Sequence, residues 1–223
     1  MDFAEFYDLP PLELAFGRTP AMRAIRQKLE SIADTGVPVL LQGESGTGKE
    51  ICARYLHVFS GRTKGSLVKV SFPAIPETLM ETELFGYEKG AFTGAHTTKR
   101  GRVEEAHNGT LFLDEVGSLD LSAQSKLLQV LQDGSFVRVG GHATRTIETR
   151  LVSCANRDLR VQVEEGSFRL DLLYRINAVT INIPPLRHRR EEIEPLVQYF
   201  TDLNARAFRL SPKPISRPTI QLM

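Results

Sequence analysis

VPVLLQGESGTGKE, residues 37–50, decides the fold, because an apolar run passes directly into a glycine-rich loop. The run Val37 to Gln42 is typical of a strand buried on both faces of a parallel sheet. The loop leads into a helical pattern, so its backbone N–H groups and the helix N-terminus would point at phosphate oxygens, with Lys49 as the cation. We therefore predict a nucleotide-binding loop; a glycine turn that only links strand to helix is the alternative. Its residues are Gly43, Glu44, Ser45, Gly46, Thr47, Gly48, Lys49 and Glu50.

The rest of a nucleotide site is predicted at the ends of two other apolar runs. A magnesium shell needs a carboxylate and hydrolysis needs a base, and Asp114-Glu115 supplies both after the run Leu111 to Asp114. Asn156 ends the run Leu151 to Ala155, where its amide would reach the γ phosphate or the attacking water; a plain turn residue is the alternative. Glu50 is a departure, because that position usually offers a Ser or Thr hydroxyl to magnesium.

Four further apolar runs, at 67–70, 111–114, 151–155 and 179–183, complete a set of five predicted strands. Helical patterns fill the intervals at 51–58, 122–132 and 191–208, and Thr19-Pro20 begins another helix. This alternation predicts an α/β fold with a five-stranded, mainly parallel sheet between helices. Two alternating segments around Gly140-Gly141 predict a β-hairpin over Phe136 to Thr149, before the fourth strand.

Composition limits the function classes. The 28 Lys and Arg balance 27 Asp and Glu, so the chain lacks the basic excess of a free nucleic-acid-binding protein. The acidic, proline-containing start and the lack of a long apolar run lead us to expect a cytoplasmic protein without a signal peptide or membrane span, with Cys52 and Cys154 as buried free thiols. The basic run Arg187 to Arg190 precedes two glutamates and is expected to be a solvated helix start rather than a DNA-binding patch.

Seven segments occur in order from Gly43 to Ile193: GESGTGKE, ETELFGYEKGAFTGA, NGTLFLDE, QSKLLQVLQDGSFVRVGG, CANRDL, FRLDLLYRIN and IPPLRHRREEI. Together they resemble the central AAA+ domain of the bacterial enhancer-binding proteins, the NtrC-like activators of sigma-54 RNA polymerase. The resemblance covers nearly all of the chain beyond residue 18, and GAFTGA is its most specific motif. It implies three parts: a lead-in, residues 1–18, expected to be extended; an α/β ATPase subdomain, 19–186; and the start of a truncated helical lid, 187–223.

The resemblance also implies roles for the candidate residues. Lys49 and Asp114 would hold ATP and Mg²⁺, Glu115 would activate water, and Asn156 would be the first sensor. Arg169 and Arg175, which without this context would be solvated helix arginines, would act on the neighbouring subunit's nucleotide in a ring. The ring would be a homo-oligomer, in this family a hexamer, and DNA would be bound only by a domain absent from this chain. The hairpin would be the family's second, supporting loop.

The GAFTGA loop would contact sigma-54 in its RNA polymerase holoenzyme and move with the nucleotide state. Flanking glycines permit backbone rotation, Phe92 offers an apolar tip, and Thr93 offers a hydroxyl. The expected contact residues are Gly90, Ala91, Phe92, Thr93, Gly94 and Ala95.

Two departures from the family pattern leave alternatives open. Ser71 stands where family members commonly have an asparagine that restrains the catalytic glutamate, so that switch is expected to be weakened or rebuilt. The family's segment with the second sensor arginine is absent from the sequence, so a catalytically weak nucleotide- or sigma-54-binding fragment is the alternative to a working ATPase. An AAA+ protein that serves another client is a third hypothesis.

Overall fold

A five-stranded parallel sheet lies at the centre of the computed structural model, which describes residues 9–213, 215–216 and 219. The strands are β1 Val39–Gln42, β2 Leu67–Ser71, β3 Gly86–Tyr87, β4 Lys99–Arg100, β5 Thr110–Asp114, β6 Ser135–Val137, β7 Thr144–Thr146, β8 Arg150–Ala155 and β9 Val179–Asn182. The central sheet has the order β2-β5-β8-β1-β9. Its members are the five strands that the apolar runs predict, so the α/β prediction is confirmed.

Helices cover both faces of this sheet. They are α1 Leu12–Ala15, α2 Pro20–Ile32, α3 Lys49–Phe59, α4 Glu77–Phe85, α5 Arg102–Glu105, α6 Leu121–Asp133, α7 Leu159–Glu164, α8 Leu170–Ile176 and α9 Ile193–Phe208. Thr19 caps α2 by accepting a hydrogen bond from the Met22 backbone N–H (3.4 Å), as its sequence position predicts. None of the helices in the described residues is long and apolar enough to cross a membrane.

The apolar core has two parts, one on each face of the sheet. In β1 the side chain of Leu40 packs on the face that α4, α6 and α8 cover, whereas Val39 and Leu41 pack on the face that α2 and α3 cover. Burial on both faces explains why the strand reads as a continuous apolar run. Cys52 and Cys154 are buried free thiols in the second part of the core, which confirms the prediction.

The N-terminal segment differs from the expected extended lead-in. Residues 1–8 lie outside the described residues, but Leu12–Ala15 forms the short helix α1, and Leu9 and Phe16 are buried in the core. The Phe16 ring packs against Tyr55 of α3 with their centroids 5.2 Å apart. The segment from Leu9 to Phe16 is therefore packed on the domain, although its two prolines indicate extended chain. At the other end, positions 214, 217, 218 and 220–223 of the predicted lid lie outside the described residues.

Two excursions leave the central sheet. Strands β3 and β4 pair antiparallel and enclose residues 88–98, while β6 and β7 form the hairpin that the sequence predicts. The two excursions are joined directly, because Glu88 N–H donates to the Val139 carbonyl and Val139 N–H donates to the Gly86 carbonyl, each at 3.0 Å. They therefore form one unit with a continuous hydrogen-bonded backbone.

Candidate functional site

The glycine-rich loop Gly43–Lys49 lies between the end of β1 and the start of α3. A side chain at Gly43 would collide with the Ile183 carbonyl oxygen, at 2.7 Å from an added Cβ, so only glycine fits against β9 there. Gly48 caps α3 with φ 95° and ψ 22°, a left-handed conformation that favours glycine. A Cβ on Gly48 would meet nothing within 4 Å, so the loop is open on that side and Gly48 is required by its backbone conformation rather than by crowding. Open backbone at a helix N-terminus fits phosphate oxygens.

Lys49 is buried beside this loop. Its Nζ donates hydrogen bonds to the carbonyl oxygens of Gly43 (2.8 Å) and Glu44 (3.0 Å), and lies 3.6 Å from Glu115 Oε1. The ammonium is thus held at the mouth of the loop with its charge facing the end of β5. Lys49 and the candidate base Glu115 are far apart in the sequence, but the fold brings them into direct contact.

Glu115 has a strained backbone. Its φ of 59° and ψ of 55° are left-handed, which is uncommon for a residue with a Cβ and costs about 1 kcal/mol or more. Its carboxylate accepts a hydrogen bond from the Asn156 backbone N–H (3.1 Å) in addition to the Lys49 contact. The carboxylate that is predicted to activate water is therefore aimed by two groups, and Asn156 contributes its main chain to this.

Asp114, at the end of β5, is held by donors from the two neighbouring strands. Its Oδ1 accepts from the Cys154 thiol (2.9 Å), and its Oδ2 accepts from the Ser71 hydroxyl (3.3 Å) and lies 3.4 Å from Lys69 Nζ. Burial, followed by the hydrogen bond to Asp114, raises the pKa of the Cys154 thiol, so the thiol stays protonated and acts as a donor. Ser71 therefore contacts Asp114, the predicted metal ligand, and its described hydrogen bond does not go to Glu115.

Glu50 has two cationic partners. Its Oε1 accepts from Arg54 Nη2 (2.6 Å) and its Oε2 accepts from Lys69 Nζ (2.6 Å). Partial burial alone would raise the pKa of Glu50, but the hydrogen bonds from Lys69 and Arg54 outweigh it and lower that pKa, so the carboxylate is ionised. Asp114 and Glu50 together offer oxygen ligands, which Mg²⁺ prefers, beside a loop for substrate phosphates. The donor set fits magnesium.

A cleft of about 1360 Å³ opens between the loop and the predicted lid. Its walls include Gly46 to Gly48 on one side and Leu186, Ile193 and Phe200 on the other, which is room enough for a nucleotide. Arg187 lines the cleft and binds both carboxylate oxygens of Glu44, at 2.5 and 2.7 Å. This hydrogen bonding lowers the pKa of Glu44.

Arg189 corrects the expectation of a solvated basic run. It is only 8% exposed; its Nη2 donates to the Thr47 carbonyl oxygen (2.7 Å) and its Nη1 donates to Glu192 Oε2 (3.2 Å). Glu192 is 3% exposed and accepts a second hydrogen bond from the Thr19 hydroxyl (2.8 Å). Arg189, in the predicted lid, therefore connects the nucleotide loop to Glu192 and, through Glu192, to Thr19, the N-cap of α2.

The GAFTGA loop is a tight turn at the end of its excursion. Gly90 N–H donates to the Ala95 carbonyl oxygen (2.9 Å), and Ala95 is itself buried. Phe92 is 43% exposed and packs edge-on against Tyr87, with ring centroids 5.0 Å apart. Thr93 and Gly94 are exposed. The outer surface of the turn therefore consists of Gly90, Phe92, Thr93 and Gly94, whereas Ala95 faces inward.

Below this turn, Arg138 of the second excursion forms the centre of an ionic cluster. It is 7% exposed, and its guanidinium contacts Glu88 (3.1 Å) and Glu104 (2.7 Å). Arg145 adds a contact to Glu88 at 3.4 Å. The hydrogen-bonded ladder at Val139 and this cluster fix the two excursions to each other.

The comparisons with known proteins agree with this arrangement. The sequence profile described as the sigma-54 interaction domain matches residues 15–182. The chain belongs to this family. It is 53% identical over 186 residues to the Nif-specific regulatory protein of Rhodobacter capsulatus, covering 83% of this chain and 32% of that protein. It is 45% identical over 197 residues to the DNA-binding transcriptional regulator NtrC of Escherichia coli K12, covering 88% of this chain and 42% of that protein.

The solved structures give the same result. NtrX from Brucella abortus in complex with ADP superposes with a TM-score of 0.87 at 36% identity, covering 98% of this chain and 47% of that one. NtrX in complex with ATP superposes with a TM-score of 0.86. By its fold, this sigma-54 interaction domain is a P-loop AAA+ domain, and it spans less than half the length of the relatives named above.

The two candidate arginines of the sigma-54 interaction domain lie apart from the nucleotide loop. Arg169 precedes α8 and pairs with Asp171 (2.7 Å), and Arg175 of α8 donates to the Leu131 carbonyl oxygen (3.0 Å). Among the described contacts, neither arginine touches the loop Gly43–Lys49 or Asp114. Their role towards another subunit stays a prediction.

Sequence reading missed Lys69 as a site residue. It lies inside a predicted strand, and its approach to Asp114 depends on β2 pairing beside β5 with Ser71 opposite Asp114. A lysine two residues before the end of a strand of the central sheet is the signal that the sequence contained.

Proposed function

We propose that this domain hydrolyses ATP, with Mg²⁺, in a homo-oligomeric ring, and that it uses the energy to remodel sigma-54 RNA polymerase through the loop Gly90–Ala95. The observation that carries the proposal is the convergence of Lys49, Asp114 and Glu115 at the ends of β1 and β5. Solved complexes of NtrX with ADP and with ATP, at 36% identity, support the choice of nucleotide.

The residues of this chain would act mainly by positioning and by charge. The loop N–H groups and Lys49 would bind the phosphates. The carboxylates of Asp114 and Glu50 would hold the metal ion. When bound, magnesium neutralises the charge on the β and γ phosphates. Glu115 accepts a proton from the attacking water, whose oxygen bonds to the γ phosphorus as the bond to the β–γ bridging oxygen breaks, releasing ADP and inorganic phosphate. Asn156, through its side chain, would sense the γ phosphate.

Arg169 and Arg175 would complete the site from the neighbouring subunit. An arginine supplied in this way stabilises charge on the transferred group and is typically worth about 10³ to 10⁵ in rate. Each arginine lies on the surface around α8, where it is available to a second copy of the chain. A hexamer is the ring size that the family resemblance implies.

The conformational change that accompanies ATP hydrolysis would be transmitted to sigma-54 through the two paired excursions. The turn Gly90–Ala95 is attached to the hairpin by the backbone ladder at Val139 and by Arg138, so the two would shift together. A shift is driven only if the domain makes different contacts in its ATP and ADP states. Phe92 and Thr93, both exposed, would be the groups that touch sigma-54.

Steady-state ATP hydrolysis per subunit over a wide range of protein concentration tests the enzyme part. We expect specific activity to rise with concentration and to be lost in Lys49→Ala and in Arg175→Ala. Lys126→Ala is the matched control and should be fully active, because Lys126 is a half-buried lysine that pairs with Glu81 on a different helix. Nucleotide binding without hydrolysis at any concentration would instead favour the second candidate, a binding module of the same family.

Binding to purified sigma-54 with and without Thr93→Val tests the partner. Loss of sigma-54 binding with ATP hydrolysis retained supports the remodelling role. Unchanged sigma-54 binding would point to another client and would refute the role of this loop.

A further inference from the structure

Lys69 bridges two carboxylates from different elements. Its Nζ lies 2.6 Å from Glu50 Oε2 at the start of α3 and 3.4 Å from Asp114 Oδ2 at the end of β5. The side chain is 38% exposed, so the ammonium is only partly solvated. One cation of the protein therefore sits between the two oxygens that the proposed function assigns to the metal side of the nucleotide.

The other oxygens of this pair are engaged as well. Glu50 Oε1 accepts from Arg54, and Asp114 Oδ1 accepts from the buried Cys154 thiol. Oδ2 of Asp114 also accepts from the Ser71 hydroxyl. Side chains of the protein thus orient both carboxylates, and Lys69 and Arg54 offset their negative charge. A divalent cation and the Lys69 ammonium favour the same oxygens and repel each other, so they compete.

We propose that Lys69 is a positioning residue that holds Glu50 and Asp114 together as an internal cation and releases them when magnesium arrives with the nucleotide. The inference rests on the proposed function. Two consequences follow from the charge. Nucleotide without metal is tolerated, because Lys69 offsets the negative charge of Glu50 and Asp114, which would otherwise repel its phosphates. The magnesium concentration needed for loading is raised, because the metal must replace an ion pair.

Lys69→Met tests this by removing the charge and keeping the length of the side chain. The measurement is the dissociation constant of ATPγS, a slowly hydrolysed analogue, by calorimetry with the full chain. It is made first in EDTA and then over a titration of Mg²⁺. We expect metal-free affinity to weaken about fivefold and the half-saturating Mg²⁺ concentration to fall about fivefold, the scale of a partly exposed charge pair.

A merely structural role of Lys69 would not weaken metal-free ATPγS binding and at the same time lower the Mg²⁺ concentration needed for half-saturation. Lys126→Met is the matched control: Lys126 also pairs with a glutamate and is also 38% exposed, but it lies on α6 away from the site. We expect both constants to match those of the unmodified chain. Lys69→Arg, which retains the charge, should keep the metal-free affinity. Lys69→Gln, which also removes the charge, should reproduce both shifts, and it tests the inference even if Lys69→Met fails to fold.

Unchanged constants in Lys69→Met would overturn the inference. So would a loss of affinity of the same size with and without Mg²⁺, since that result means that Lys69 binds phosphate directly. If the unmodified chain binds no nucleotide under any condition, the proposed function fails, and the inference fails with it. Binding by the unmodified chain together with no effect of Lys69→Met overturns the inference alone.

Discussion

Arg189 connects three parts of the domain, and removing it should destabilise all of them together. In Arg189→Met the Thr47 carbonyl oxygen loses its hydrogen-bond donor and the Glu192 carboxylate loses its cationic partner. Glu192 is only 3% exposed, so water cannot replace that partner. Breaking a buried pair by removing one partner costs about 3–5 kcal/mol, because the remaining charge is uncompensated. We therefore expect the free energy of unfolding to fall by about 3 kcal/mol, a large part of the 5–15 kcal/mol that is typical of a domain.

Urea unfolding followed by far-ultraviolet circular dichroism measures this change, since the chain has no tryptophan for fluorescence. The double variant Arg189→Met/Glu192→Gln removes both charges, and we expect it to be less destabilised than the sum of the single variants by about 2 kcal/mol. Arg187→Met is the control: Arg187 is two residues away and pairs with Glu44 at the surface, so the urea midpoint should not move.

Two outcomes would refute the reasoning. A loss below about 1 kcal/mol in Arg189→Met would mean that the pair behaves as a surface salt bridge. Strict additivity in the double variant would mean that Arg189 and Glu192 act independently, contrary to their 3.2 Å contact.

Three further changes have expected outcomes. Gly17→Ala should lower the free energy of unfolding by about 2 kcal/mol, because φ is 56° and the added Cβ would overlap the buried Glu192 carboxylate; urea unfolding checks this. Gly140→Ala should reduce sigma-54 binding while ATP hydrolysis persists, because its Cβ would lie 2.6 Å from the Ala91 Cβ; unaltered sigma-54 binding would contradict this. Burial raises the pKa of Cys52 from 9.0 to about 12, so the protonated thiol stabilises the fold below pH 9 and this contribution is lost as the pH rises towards 12. The free energy of unfolding should therefore fall more steeply above pH 9 than in Cys52→Ala, by up to about 1.4 kcal/mol per pH unit, and parallel slopes would disprove it.

The sheet and the nucleotide loop could be predicted because their signals are local. The run Val37 to Gln42 is apolar since β1 is covered on both faces, and the glycines of residues 43–48 follow from close packing and an open inner side. Both features are determined within about a dozen residues of the chain. The same is true of the hairpin around Gly140-Gly141, whose turn residues and alternation lie next to each other.

The missed features depend on contacts between distant positions. Arg189 resembles any arginine of a basic run until Thr47, 142 positions earlier, supplies a buried carbonyl oxygen. Lys69 becomes a site residue only because β2 lies beside β5. The helix α1 was missed because two prolines before it indicate extended chain, whereas the burial of Leu9 and Phe16 determines where the segment lies. Long-range partners of polar side chains are what the sequence alone did not specify.

The ladder between the two excursions limits how such domains change length in evolution. Val139 pairs with Gly86 and Glu88, so an insertion between Tyr87 and Glu88, or beside Val139, breaks two backbone hydrogen bonds at once. His142 and Ala143, between Gly141 and β7, are exposed and carry no such pairing among the described hydrogen bonds, and extra residues there would only lengthen an exposed tip. Natural variation in the hairpin should therefore collect at its tip, and a change of register in one excursion should persist only together with a compensating change in the other.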